Sequence, residues 1–297
     1  MNEFKSICKI VKSITVLFLF ISFYPLKAQT IPVVIDSSGF IFIDVTINDS
    51  VKTKFLLDTG GGISVLSNKL FQKLNSSLKN AGYFTGFRND GERLDGELFT
   101  LPSISIGNFR VANVNVGVYP PLDDYGMEGV ISMKEFENQP ITIDFKKSIV
   151  TFEDGESIKK IEKSAEVIPI TLSSQMVVSL DIFVPLLLND SIKIMAEFDT
   201  GSGYDLLLVN PYFMLKMGID SSTLSKNTFK ISSGKTLTDY FSTLNTLRYG
   251  SSPKLVINDK KVMFRQDLIY EGLIGSGMFK DKILTIDIPD KKMLVRN

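Results

Sequence analysis

Residues 48–62 read NDSVKTKFLLDTGGG, and residues 189–203 read NDSIKIMAEFDTGSG. At an offset of 141 the two stretches match at eight of 15 positions, sharing Asn-Asp-Ser, a Lys, Asp-Thr-Gly and a later Gly. A second pair keeps the same order. Residues 128–144, EGVISMKEFENQPITID, align without gaps on residues 271–287, EGLIGSGMFKDKILTID, with seven of 17 identities at an offset of 143. Because order and spacing persist across both blocks, the chain is a duplication of one unit, and each half of about 130 residues is an ordinary domain size.

Around these blocks the pattern is mostly β. Residues 40–47 are β-branched and aromatic, Asn48-Asp49-Ser50 is a turn, and residues 51–57 return as a strand that ends in Asp58. The second half repeats this with residues 182–188, the turn Asn189-Asp190-Ser191, and residues 192–198. Helices are few: Ser67 or Asn68 caps one through Leu74, and Asn210-Pro211 opens another that Gly218 stops. Many short strands with turns between them indicate sheet-built lobes rather than βαβ units. Residues 153–163 are rich in Lys and Glu with little apolar pattern, which marks a linker. The expected division is a signal peptide at 1–28, an N-terminal lobe at 29–155, a linker at 156–166 and a C-terminal lobe at 167–297.

Composition narrows the chemistry. The 297 residues carry 33 Lys plus Arg against 33 Asp plus Glu and no basic block, so nucleic acid is not an expected partner. There is no His, which removes Ser-His-Asp and Cys-His catalysis and the usual zinc sites. Lys5, Lys9 and Lys12 precede a 10-residue apolar run at 14–23 and a small residue, Ala28. That layout is a secretory signal peptide; the run is short of the roughly 20 residues of a spanning helix, so an uncleaved anchor is the weaker alternative. Cleavage after Ala28 implies an exported protein, periplasmic or extracellular, with no stable membrane insertion. The single cysteine, Cys8, leaves with the signal, so the mature chain has no thiol and no disulfide.

Asp58-Thr59-Gly60 and Asp199-Thr200-Gly201 each end an apolar strand and enter a glycine-containing turn. A lone Asp-Thr-Gly is weak evidence, since Asp and Gly are common turn residues, but two copies inside matched repeats are strong. Beside them stand Leu273-Ile274-Gly275 and Val130-Ile131-Ser132, followed by strands ending in Ile-Asp. With these motifs the whole mature chain resembles the pepsin-like and retropepsin-like aspartic proteases, most of all the retropepsin-type domains of secreted bacterial proteins. The resemblance implies a mainly β protein of two homologous lobes related by a pseudo-twofold axis, with the active site at their interface and one Asp from each lobe. It further implies that Thr59 and Thr200 bond across the interface, that Gly60 and Gly201 bring backbone N–H groups to the carboxylates, and that Ser202 supports Asp199. Two departures fall in the first lobe: Gly61 stands where the family has Ser or Thr, and Ser132 where it has Gly.

Two carboxylates about 3 Å apart cannot both ionise, so such a pair shares one proton, and one member serves as base while the other serves as acid. Water attacks a peptide carbonyl with no covalent intermediate, and no cofactor or metal is expected. The catalytic residues are then Asp58 and Asp199, the substrate a peptide or protein, and the enzyme an aspartic endopeptidase acting as a monomer. Tyr83, Phe84, Gly86 and Phe87 lead into the turn Arg88-Asn89-Asp90-Gly91, which fits either a substrate-covering flap or an ordinary surface hairpin. Residues 229–240 are its counterpart. Ser233-Gly234-Lys235-Thr236 is not a phosphate loop, because Phe229 occupies the required first glycine. The alternative from another class is a peptide-binding or assembly protein that keeps the fold without turnover.

Overall fold

The computed structural model describes residues 28–175, 178–231 and 234–297. The expected signal peptide and Cys8 lie outside the described residues, apart from Ala28.

Three sheets organise the chain. The first has eight strands in the order Val34–Ile35, Ile41–Ile47, Val51–Asp58, Gly129–Ser132, Ser64–Leu66, Phe109–Val118, Arg93–Ile106 and Lys79–Phe87. The second also has eight, in the order Thr171–Ser173, Asp181–Leu188, Ile192–Phe198, Gly272–Ile274, Leu207–Val209, Val256–Arg265, Thr236–Tyr249 and Ser225–Lys230. Strand for strand, the second order repeats the first. Each sheet also pairs its second strand with its long seventh one, Ile41–Ile47 with Arg93–Ile106 and Asp181–Leu188 with Thr236–Tyr249, which bends it toward a barrel. The fold is mainly β and two-lobed.

Turn chemistry sets the strand boundaries. Asn48 and Asp49 (φ +50° and +57°) and Asn189 and Asp190 (φ +47° and +54°) adopt the left-handed region that Asn and Asp tolerate, and so close the hairpins that lead into the two Asp-bearing strands. Alternation along Ile41–Ile47 buries Ile41, Ile43, Val45 and Ile47 in the lobe core, and Asp181–Leu188 does the same with Ile182, Val184, Leu186 and Leu188.

The third sheet joins the halves. Its six strands run Gln29–Pro32, Ile149–Phe152, Ile141–Asp144, Ile283–Asp287, Lys292–Arg296 and Glu166–Pro169. At its centre Ile141–Asp144 pairs antiparallel with Ile283–Asp287, so that Thr142 faces its own repeat equivalent, Thr285, with the two hydroxyls 2.7 Å apart. The segment expected as an unpatterned linker contains a helix, Gly155–Glu162. Asp154 and Ser157 form its capping box, and Ile158 and Ile161, three residues apart, bury against Leu294. The surrounding Lys and Glu residues hide that two-residue apolar stripe in the sequence. The other helices stand where the capping signals predict them: Asn68–Leu74, with the Ser67 hydroxyl accepting from Leu70 N–H, and Tyr212–Lys216, with the Asn210 side chain accepting from Tyr212 N–H.

Candidate active site

Parallel pairing brings the two motifs of each half together. Val51–Asp58 runs parallel to Gly129–Ser132 with Asp58 opposite Ser132, and Ile192–Phe198 runs parallel to Gly272–Ile274. Each strand of a parallel pair delivers its end to the same edge, so both Asp loops emerge at the face between the lobes.

There the loops interlock. Thr59 and Thr200 are fully buried. The Thr59 N–H donates to Thr200 Oγ1 at 3.1 Å and the Thr200 N–H to Thr59 Oγ1 at 2.9 Å. Each hydroxyl then donates to the opposite strand, Thr59 to the Phe198 carbonyl at 2.6 Å and Thr200 to the Leu57 carbonyl at 2.8 Å. Six polar groups, two N–H groups, two hydroxyls and two carbonyls, are satisfied by these four bonds. A β-carbon on Gly60 would lie 2.6 Å from Asp199 Cγ, and one on Gly201 would lie 2.5 Å from Asp58 Cγ. Glycine is therefore required at both positions for the carboxylates to meet.

The carboxylates are held differently. Asp58 Oδ1 accepts from Gly60 N–H at 2.8 Å and Gly61 N–H at 3.0 Å. Asp199 Oδ2 accepts from the Ser202 hydroxyl, while Asp199 Oδ1 is closed off from solvent and, among the described residues, has no N–H or hydroxyl donor. Burial, then the charge of Asp58, pushes the Asp199 carboxyl well above the usual carboxylate range, against the opposing pull of the Ser202 hydroxyl. Burial beside a second carboxyl thus favours the protonated form of Asp199.

The two first-lobe departures are absorbed locally. Gly61 offers its N–H to Asp58 where Ser202 offers a hydroxyl to Asp199. Ser132 is fully buried; its hydroxyl donates to the Gly62 carbonyl at 3.1 Å and accepts from Lys134 N–H. Its N–H donates to Ser64 Oγ at 3.0 Å, and Ser64 donates in turn to Glu135 Oε1 at 2.9 Å. At the equivalent Gly275 a β-carbon would strike the Gly203 carbonyl at 2.1 Å, so only the first lobe has room for Ser. Burial pushes the Glu135 carboxyl up to about 7, opposed by the Ser64 hydroxyl.

The strands Lys79–Phe87 and Arg93–Ile106 form the expected hairpin, but its four singled-out residues do not form one wall. Strand alternation places Phe84 and Gly86 on the inner face and leaves Tyr83 and Phe87 exposed, at 78% and 55%. The Phe84 ring lies over Gly96 of the neighbouring strand and Gly117 of the strand beyond it, where a β-carbon would meet it at 2.7 and 2.8 Å. The turn reaches across to the second lobe, where Ile269 N–H donates to the Asn89 carbonyl at 2.9 Å. In the counterpart hairpin, Ser232 and Ser233 lie outside the described residues.

Three residues beside the pair escape a motif-based reading: Asp181, Glu197 and Tyr270. Glu197 precedes Asp199 by two strand positions and shares its face; it is only 3% exposed. The signal that finds all three is the repeat itself, through their first-half equivalents Phe40, Leu56 and Met127.

Residues 43–134 match the family model described as aspartyl protease. Among solved structures, basic 7S globulin from soybean is similar in fold, with a TM-score of 0.54 at 11% identity over 92% of this chain and 95% of that one. No curated protein matches the chain in sequence. Its first half thus carries an aspartyl protease match, and the two-lobed β architecture around it is pepsin-like.

Proposed function

We propose that the chain is an aspartic endopeptidase that hydrolyses peptide bonds with a water activated between Asp58 and Asp199. One observation supports this: the Thr59/Thr200 exchange and the bare Gly60 and Gly201 hold two carboxylates from equivalent loops against each other, where burial and the charge of Asp58 favour the protonated form of Asp199. Asp58 takes a proton from water as the oxygen attacks the peptide carbonyl carbon. Asp199 donates its proton to the carbonyl oxygen, giving a neutral diol, and collapse returns a proton to the leaving amine. Gly60 and Gly61 N–H groups hold Asp58 in place throughout. Thr59, Thr200 and Ser202 fix the loops, and the hairpin bearing Phe84 covers an extended peptide laid between the lobes.

The lobes act as one site in a monomer, related by a pseudo-twofold that the Thr59/Thr200 exchange and the Thr142/Thr285 pairing support. Export through the N-terminal segment belongs to the same proposal. The test is hydrolysis of a denatured protein by the purified chain across pH, with and without pepstatin. Pepstatin-sensitive cleavage is expected; a folded chain that cuts nothing at any pH favours a peptide-binding protein without turnover.

A further inference from the structure

Strand alternation places the residue two positions before each Asp on the same face as that Asp. In the first half that residue is Leu56, packed with Val130, Phe40, Phe42 and Met127 in an apolar cluster beside Asp58. Glu197 occupies the equivalent position in the second half, and both eight-stranded sheets keep the same local register, with Leu56 opposite Phe42 and Glu197 opposite Phe183. The change is not isolated. Phe40 becomes Asp181 and Met127 becomes Tyr270, so three apolar members of the first cluster are replaced together by two carboxylates and a phenol. The fold tolerates an all-apolar wall here, as the first lobe shows. A polar wall therefore needs its own reason, because buried carboxylates cost stability unless something compensates them.

In the described chain one neutral hydroxyl, that of Tyr270, is all that compensates them. The Tyr270 hydroxyl bonds to Glu197, and its ring packs edge-on against Phe183 at 5.5 Å. Among the described residues the Asp181 carboxylate has no hydrogen-bond or ion-pair partner, although an oxygen of it would lie 2.8 Å from a β-carbon on Gly62. Among the described residues no Lys or Arg acts on either group, whereas the other buried carboxylate of this lobe's sheet, Asp239, has the Arg265 guanidinium as a two-point partner. Burial, then Asp199, Asp181 and Asp58, push Glu197 up to about 9, and burial alone pushes Asp181 up to about 6. The charges of Asp199, Asp181 and Asp58 thus all act on Glu197. A cation placed among them would counter the repulsion on Glu197 and favour the charged form of both acids.

We propose that Asp181, Glu197 and Tyr270 form a recognition pocket for the basic side chain, Lys or Arg, of a substrate residue flanking the scissile bond, while Phe40, Leu56 and Met127 take an apolar side chain on the other flank. This rests on the endopeptidase function proposed above and names its substrate class. The two flanks of a peptide laid across the Asp pair fall one in each lobe, so the asymmetry between lobes becomes a preference for one basic and one apolar neighbour.

The test uses two N-acetylated, C-amidated octapeptides, identical except that one carries Lys and the other norleucine at the central position, with apolar residues around it. The peptides differ only in the cation. The wild-type chain is expected to cleave the Lys peptide about 30-fold better in kcat/KM, the scale of a desolvated charge pair. In Glu197→Gln, which keeps a partner for Tyr270, and in Glu197→Leu, which restores the first-lobe residue, that ratio should fall toward one. A wild-type ratio near one, or a preference that Glu197→Gln leaves unchanged, overturns the pocket while leaving the endopeptidase standing. If the wild type cleaves neither peptide, binding of both to the Asp58→Asn chain is measured by calorimetry. Tighter binding of the Lys peptide there upholds the pocket and counts against turnover; equal binding, or none, overturns the pocket.

Discussion

Thr59 and Thr200 each give a hydroxyl proton to the strand end of the opposite half and receive the other's backbone N–H, the longest of the four bonds being 3.1 Å. Both residues are fully buried, so none of these groups can turn to water instead. Thr59→Val keeps the shape but leaves the Thr200 N–H and the Phe198 carbonyl without partners. The expected cost is about 3 kcal/mol in urea unfolding, from two unsatisfied buried groups. Thr59→Val combined with Thr200→Val should cost clearly less than the sum of the singles, because the bonds belong to one exchange. Additive losses would show that the two hydroxyls act separately.

The hydroxyl of Ser202 bears on the second carboxyl. It holds the Asp199 value down against burial and the charge of Asp58, which push it up. Removing it in Ser202→Ala raises the folded value further. If Asp199 must be protonated to act as the acid, activity fails as pH rises through that value, so the basic limb of the pH–rate profile should move to higher pH. The limb is a property of the coupled pair, so the comparison is made as a shift against wild type. A limb that stays or moves down would remove Ser202 from the control of Asp199.

Glu135 gives a stability prediction independent of activity. Its carboxyl rises from an ordinary 4.5 to about 7 on folding, chiefly through burial. A raised folded value means that stability is fully present below about 4.5 and is lost as pH climbs through about 7. Glu135→Gln keeps an oxygen to accept from Ser64 and cannot ionise. The mutant should therefore gain on wild type across that window, by about 3 kcal/mol at its upper end. Paired urea titrations at pH 4.5 and pH 8 measure it, and an equal difference at both would show that Glu135 stays ionised in the fold.

Asp58, Asp199 and their threonines are legible in the sequence because a repeated tripeptide at a strand end has a local signature, and the strands themselves alternate plainly. Other features depend on pairing between distant segments. The central sheet is one: nothing in residues 141–144 announces that Thr142 will face Thr285. Ser132 is another, since whether Ser fits depends on where the Gly62 carbonyl lies, and that is set by contacts through Ser64 and Glu135. Tyr83 and Phe87 suggest a flap wall by composition, yet the pleat turns both outward. Glu197 is visible only when the repeat is read residue against residue and the alternation of the strand is counted back from Asp199.

The whole proposal stands on the two acids working as one unit. Replacing Asp58 with Asn keeps an oxygen to accept from the Gly60 and Gly61 N–H groups and puts an amide N–H₂ toward Asp199, whose Oδ1 otherwise has no such donor among the described residues. The fold should therefore survive, with unfolding stability unchanged or raised, because Asp199 no longer faces a second carboxyl that raises it. The base is gone, however, and water is no longer deprotonated. Asp199→Asn removes the acid in the same way and leaves Asp58 with no proton to share. Each single variant should lose at least about 1,000-fold in kcat, and the double variant should be no worse than either, since groups acting as a unit are strongly non-additive. A folded Asp58→Asn chain that keeps most of its pepstatin-sensitive turnover would refute the shared-proton mechanism and assign the first loop, with its Gly61 and Ser132, to holding the lobes together.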